Sequence, residues 1–363
     1  EDKMKSKLSK LLSLIIVIAL CVSSLAACGA DKGAGTEKED EVKIALISNQ
    51  RSGDMGPVDA MFAGAKRVEA DFGVTVKTLE SEDAAAYEDD IRAMAAEGYD
   101  LIITTFPPMT EATKAVAAEY PDTMFAAIIH YINVDGAKDD NVWDTEYRGE
   151  EATYVLGAMA ATLTKTNVIG YIGGDESSGV CEAANGFMRG ARDANPDVKV
   201  EFMSVGSYED PAKAKEIANA MISKGVDVLQ TDAGGSQIGI IEAAKDAGVY
   251  VSGDVTNNQA SYPEGFFSYL GIDFGENVYL ACQKFIEGKF PGGEHGPMNI
   301  SSGTYFIDFD LLSKIGEIAP DKAEKTEATR KVGEGIVEKI KAGDLKIEYD
   351  ITPPDWNRIK NEK

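Results

Sequence analysis

From residue 42 onward, short apolar runs rich in β-branched residues alternate with longer stretches whose apolar positions recur at helical spacing. The runs 42–48, 74–79, 101–105 and 123–129 are bounded by turn residues and too short for helices, so they predict strands. Between the first two, Val58, Met61, Phe62, Ala65 and Val68 fall on one face of a helix. A second series follows Asn141-Val142-Trp143. It opens with a helix carrying Ala152, Val155, Leu156, Met159 and Leu163 on one face, followed by strand 168–172, helix 179–194 and strand 198–205. Asp210-Pro211 then supplies an N-cap and a first-turn proline to a helix that buries Ala214, Ile217, Ala218, Met221 and Ile222. Strand 226–231, helix 235–247 and strand 249–252 complete the set. Alternation of this kind builds parallel sheet covered by helices on both faces. The pattern therefore predicts an α/β chain of two doubly wound parallel-sheet lobes.

Strand 266–272, helix 276–287 and strand 305–309 come after both series are already built. They read as chain returning to each lobe in turn, so that several hinge strands join the lobes. On this reading lobe 1 comprises 42–146 with about 262–293, and lobe 2 comprises 147–261 with about 294–363.

The amino-terminal part has a different pattern. After Glu1, Asp2 and Lys3 comes a start-like Met4, then Lys5, Lys7 and Lys10, an apolar stretch over 11–22, and Leu25-Ala26-Ala27-Cys28-Gly29. This is the order of a secretory signal peptide over 1–27, and its apolar run is shorter than the ~20 residues needed to span a bilayer. Leu-Ala-Ala-Cys-Gly resembles the lipobox of bacterial lipoproteins, which implies cleavage before Cys28 and lipid on that residue. Several acyl chains, each contributing ~0.8 kcal/mol per buried CH₂, anchor a protein stably to a membrane. Residues 28–41 lack apolar periodicity and read as the lipidated cysteine followed by a flexible acidic linker. Cys21 leaves with the signal, so only Cys181 and Cys282 remain in the body of the protein. Their helical contexts favour two buried thiols over a disulfide.

Composition narrows the function. Among 363 residues, 36 Lys and Arg face 61 Asp and Glu, a formal charge of −25, so the surface as a whole repels nucleic-acid backbones. Two histidines leave little for proton shuttling or zinc ligation, and no Gly-x-Ser-x-Gly elbow or His/Cys cluster with metal spacing occurs. The expectation is a protein that is not an enzyme and needs no cofactor or metal. Asp135, Asp139, Asp140 and Asp144 read as one solvated acidic loop.

In open parallel sheets ligands gather at the carboxyl ends of the strands, where loops and unpaired backbone N–H groups collect. Those loops here are 48–56, 105–109, 130–131, 173–179, 206–210, 232–237 and 253–259. Ser48, Asn49 and Asp54 are the candidates in the first. Phe106 and Tyr208 stand at loop ends, where a ring can stack on a flat heterocycle or pack at the rim. His130 follows the fourth strand. Gly234 and Gly235 let backbone approach a ligand closely or make a tight turn, and they form neither a phosphate loop nor a dinucleotide fingerprint. Asp254 ends a strand expected to be buried, where a carboxylate needs donors such as vicinal hydroxyls or the N–H groups of a turn.

Several segments resemble the basic membrane protein family of bacterial lipoproteins: Tyr147-Arg148-Gly149-Glu150-Glu151, the run 154–161, Gly170-Tyr171-Ile172-Gly173-Gly174, Gly186-Phe187, Asn195-Pro196, Gly206-Ser207-Tyr208-Glu209-Asp210 and Ala233-Gly234-Gly235. The resemblance implies a type I periplasmic-binding-protein fold and capture of a purine nucleoside for an ABC importer, with a permease and an ATPase as partners and a monomeric receptor held outside the membrane by lipid. It further implies that Tyr208 stacks on the base, that Gly234 lies near the ligand, that Asp254 binds ribose hydroxyls, and that Phe106 occupies an aromatic position at the end of the third strand. The first lobe departs from the family pattern. Ser48 stands where the family has an aspartate, Pro57-Val58 replaces a Phe-Asn pair, His130 stands where an aspartate often follows the fourth strand, and a lysine expected within 270–273 is missing. A sugar or other small-metabolite receptor of the same fold, or a sensor serving a signalling receptor, fits the same pattern.

Overall fold

A computed structural model describes residues 42–53, 56–254 and 258–362. The first series folds as its periodicity requires into β1 (Lys43–Ser48), α1 (Pro57–Phe72), β2 (Thr75–Glu80), α2 (Tyr87–Ala96), β3 (Leu101–Thr105), α3 (Thr110–Glu119) and β4 (Met124–Ile128), and the chain then adds β5 (Val142–Tyr147). The second begins with α4 (Glu150–Leu163) and β6 (Val168–Gly173), then α5 (Ser178–Ala194), β7 (Lys199–Ser204), α6 (Pro211–Ser223), β8 (Val228–Asp232), α7 (Gln237–Ala247), β9 (Tyr250–Gly253) and β10 (Phe266–Ile272). The chain ends through α8 (Phe274–Ile286), β11 (His295–Met298), β12 (Tyr305–Ile307), α9 (Asp310–Ile318), α10 (Ala323–Ala342) and α11 (Trp356–Lys360).

Two six-stranded sheets result, ordered β2-β1-β3-β4-β5-β11 and β7-β6-β8-β9-β10-β12. All pairings are parallel except β10 with β12. In β1 every residue from Ile44 to Ser48 is buried, because helices cover both faces and leave no side of the strand to solvent. Ile44 and Leu46 pack with Met61, Val68 and Val278 on one face. Ala45 and Ile47 pack with Ile91 and Val116 on the other. The second sheet repeats the plan: Ile169 and Tyr171 lie with Leu156 and Phe187, while Ile172 and Leu229 lie with Ala218 and Ile240.

The chain crosses between sheets at three places: from β5 into α4, from β10 into α8, and from β11 to β12. Two crossings fall elsewhere than the hydrophobic pattern places them. Residues 266–272, assigned by pattern to lobe 1, pair with β9 and β12 in the second sheet, so lobe 1 is re-entered only at α8, which packs against α1. Residues 295–298, assigned to lobe 2, pair with β5 in the first sheet. The pattern misses β5 and β11 because Val-Trp-Asp-Thr-Glu-Tyr carries charge mid-strand and His-Gly-Pro-Met contains two residues poor in strands.

Asp144 is corrected by the same observation. It is fully buried in β5, not part of a solvated loop, and accepts from Ile132 N at 2.8 Å, Asn133 N at 2.9 Å and His295 Nδ1 at 2.7 Å. These bonds, with a second contact to Glu146, hold the His295 imidazolium up at a pKa of about 9. Cys181 and Cys282 are buried free thiols, one in α5 and one in α8. Among the described residues no helix is long and apolar enough to cross a membrane. The signal, the linker, Cys28 and Asp54 lie outside the described residues.

The three crossings meet in one hydrogen-bonded knot. Asn277 of α8 donates to Tyr147 Oη at 2.7 Å and accepts from Thr304 Oγ1 at 2.9 Å, so one buried amide ties together a residue from each crossing. The Tyr147 ring meets Phe274 and Tyr305 edge-on at 5.4 and 6.0 Å.

Candidate functional site

On the second sheet, the carboxyl ends of β6, β8 and β9 lie side by side, and their loops carry the residues the sequence singles out. Asp254 follows β9 and is 6% exposed. Its two oxygens accept from Gly234 N at 3.1 Å and Gln237 Nε2 at 2.9 Å. Burial, then the neighbouring Asp232 charge, push its pKa up to about 7 against those donors. Gly234 sits at φ +52°, in a one-turn 3₁₀ segment ahead of α7, and a Cβ there would stand 3.2 Å from Tyr208 Cδ1. The glycine thus lets the Asp254 loop and the Tyr208 ring share one spot. The Tyr208 hydroxyl donates to Asp175 at 2.8 Å, which holds the ring over Gly174. Gly235 lies against the backbone carbonyl of Tyr208. Tyr208, Gly234, Gly235 and Asp254 are therefore brought together.

Beside this cluster is a cavity of about 190 Å³ lined by Tyr147, Gly149, Glu182, Asp232, Asp254 and Tyr305, with Gly179, Ala183 and Leu270. Tyr147, Gly149 and Tyr305 belong to the crossings, so the cavity lies where the crossings meet the second sheet. Three of its residues are acidic. Asp232 is held by the Tyr171 hydroxyl at 2.9 Å and is raised by burial. Glu182 accepts from Gly149 N, and its carboxyl adjoins that of Glu150. Burial raises both glutamates; the Glu150 charge adds to the rise at Glu182, and the Glu151 charge adds to that at Glu150. Glu150 Oε2 is buried with no hydrogen-bond partner among the described residues.

The other candidates line the carboxyl edge of the first sheet. Ser48 is fully buried and closes a tight turn, donating to Gln50 O at 2.9 Å. Asn49 N donates to Thr105 Oγ1 at 3.4 Å, and its Oδ1 is buried without a partner among the described residues. Phe106 and Ile129 both take positive φ, +65° and +63°, unusual for bulky residues and a sign of a constrained edge. Phe106 packs partly buried against the core between this sheet and α1 and α8. His130 is fully buried, with Nδ1 3.0 Å from Thr110 Oγ1 and Nε2 without a partner among the described residues; burial lowers its pKa to about 4, so it is neutral at pH 7. Ser48, Asn49, Phe106 and His130 stand on neighbouring strands, and none of them lines the acidic cavity.

Sequence reasoning missed Glu150, Glu182, Tyr147 and Tyr305, and reached Asp232 only as part of a loop. A signal exists for Glu182: it is an acid within Val180-Cys181-Glu182-Ala183-Ala184, a helical stretch otherwise made of buried apolar residues. An acid in such a place needs a reason beyond solubility.

The sequence profile of the family described as "ABC transporter substrate-binding protein PnrA-like" matches residues 41–341. The chain is 30% identical over 309 residues to a purine-binding protein of Brucella abortus, covering 83% of this chain and 84% of that one. It is 27% identical over 335 residues to the nucleoside-binding protein BmpA of an ABC transporter of Lactococcus lactis, covering 89% and 87%. A solute-binding protein of an ABC transporter system from Conexibacter woesei superimposes with a TM-score of 0.62 at 22% identity, over 85% of this chain and 99% of that chain. A transcriptional activator of the comK gene from Bacillus halodurans gives a TM-score of 0.63 at 20% identity, over 83% and 98%. These structural likenesses establish the type I periplasmic-binding-protein fold. With that fold, and a profile that spans most of its length, the chain belongs to the PnrA-like family of ABC transporter substrate-binding proteins.

Proposed function

We propose that this protein is the lipid-anchored, extracytoplasmic receptor of an ABC importer and captures a nucleoside between its lobes by bending the three crossings. The observation that carries the proposal is the joined cluster of Tyr208, Gly234 and Asp254 at the carboxyl edge of the second sheet. A partly exposed ring beside a close-approach glycine suits a flat base, and a buried carboxylate with two oxygens suits a pair of vicinal hydroxyls. Relatives named for nucleoside and purine binding support the same ligand class. Cys28 would carry the anchor. The permease would then read the closed state, which a ligand stabilises only by its differential affinity for it.

One experiment addresses anchor and ligand together. A Cys28→Ser protein is expected in the soluble fraction, and purine nucleosides are expected to stabilise it by mass action, by about 2.7 kcal/mol at a hundredfold excess over Kd, read as a rise in melting temperature. Asp254→Ala is expected to weaken that binding by more than the ~1 kcal/mol of an ordinary hydrogen bond. No response to any nucleoside, alongside a response to a sugar, would move the assignment to a sugar receptor of the same fold.

A further inference from the structure

The cavity beside Tyr208 contains an asymmetry that the nucleoside reading does not use. Of its lining side chains, Glu182, Asp232 and Asp254 are acids and none is a cation. The Arg148 guanidinium bonds Glu146 and lies 4.0 Å over the Tyr349 ring, and its charge also reaches Glu150. Behind Glu182 a second carboxylate, Glu150, is 4% exposed and has one oxygen without a partner among the described residues. Buried carboxylates without counter-charges are costly, and the cost is recovered when a positive group arrives. Acids that line a cavity with no cation among them draw in a positive group. Among the described residues no three acidic, imidazole or thiol groups converge closely enough to hold a metal ion, so the geometry suits a larger organic cation.

We infer that the ligand taken by this cleft carries a positively charged nitrogen, and that Glu182, Asp232 and Asp254 select it. The inference rests on the proposed cleft as the ligand site and deepens it by naming a charge class. Protonation supports the same direction. Glu182 faces Glu150, Tyr305, Tyr131 and Tyr349, while Asp254 faces Asp232 and the donors of Gly234 and Gln237; burial and like charge raise Glu182, Asp232 and Asp254 alike. Held protons of this kind are released when a cation takes their place.

The test compares 1-methyladenosine, a purine nucleoside that is cationic at neutral pH, with neutral adenosine. Agmatine and choline serve as cations without a nucleoside, and all four are titrated calorimetrically into the purified protein at pH 7 in two buffers of different ionisation enthalpy. The expected result is at least about tenfold tighter binding of 1-methyladenosine than of adenosine, with proton release to the buffer. The preference is expected to shrink in Glu182→Gln, which keeps an acceptor for Gly149 N, and in Asp232→Asn, which keeps one for Tyr171. Adenosine binding as tightly as 1-methyladenosine, or unaltered discrimination in both folded variants, overturns the inference and leaves the nucleoside reading intact. Binding of agmatine or choline with neither nucleoside bound supports the inference and removes the nucleoside reading. No binding by any cationic probe overturns the inference.

Discussion

At the scale of single residues, the proposed binding group Asp254 carries a cost in stability. Asp254 is raised from an ordinary carboxylate value of about 3.9 to about 7 by burial and by Asp232. Between those pH values the folded protein therefore holds a proton that the unfolded chain has lost. By linkage, stability supplied by this group is complete at low pH and is lost as pH rises through about 7. Asp254→Asn removes the titration and keeps one carbonyl oxygen for Gly234 N or Gln237 Nε2. Without ligand, the variant is expected to exceed the parent at pH 8 by on the order of 2 kcal/mol and to show a flatter pH profile between 5 and 8. Urea unfolding at pH 5, 6.5 and 8 measures this directly, and parallel profiles for parent and variant would refute the assignment. The gain would come at the expense of ligand affinity, the usual relation between a binding site and the fold that carries it.

At the scale of elements, the carboxyl half of the fold depends on how closely two helices approach. α4 and α5 cross with glycines at the contact: a Cβ on Gly157 would lie 2.0 Å from Phe187 O, and one on Gly190 would lie 1.9 Å from Tyr154 O. Gly190→Ala is therefore expected to destabilise by about 1–3 kcal/mol or more, although alanine is the better helix former by about 1 kcal/mol. Gly335 in α10 has nothing within 4 Å of its would-be Cβ, so Gly335→Ala isolates the propensity and is expected to raise the melting temperature. If Gly190→Ala also raised it, the close crossing would be wrong. Much of this level is legible in the sequence, because strands covered on both faces read as unbroken apolar runs and amphipathic helices show their spacing. β5 and β11 are not legible, since Asp144, Glu146 and His295 neutralise one another only after pairing across 151 residues. The site divides in the same way. Tyr208, Gly234 and Asp254 are visible as odd residues at strand ends. Glu150 is invisible, because an acid in the first turn of a helix is the ordinary complement to its dipole.

At the scale of the whole molecule, the proposed closure would give the two sheet edges unequal parts. The acidic cavity is lined by the second lobe and the crossings, so contacts made there are available in open and closed states alike and shift neither. A swing from about 1:99 to 99:1 needs about 5.5 kcal/mol of extra affinity for the closed state. That difference has to come from the first-lobe edge, where Asn49 Oδ1 and His130 Nε2 are buried without partners among the described residues. Because His130 is neutral at pH 7, it can offer a hydrogen bond to a ligand without adding charge to the cleft. The Asn277 knot joins Tyr147, Asn277 and Thr304, one from each crossing, so in the proposed closure the crossings would move together. Small-angle scattering with saturating ligand is expected to show a smaller radius of gyration than without it. His130→Ala is expected to keep binding through the second lobe yet remain more open when saturated, whereas Asp254→Ala loses affinity but closes normally once ligand is forced in. Equal compaction of parent and His130→Ala would place the discriminating contacts elsewhere on the first-lobe edge, and unchanged scattering on saturation of the parent would rule out hinge closure.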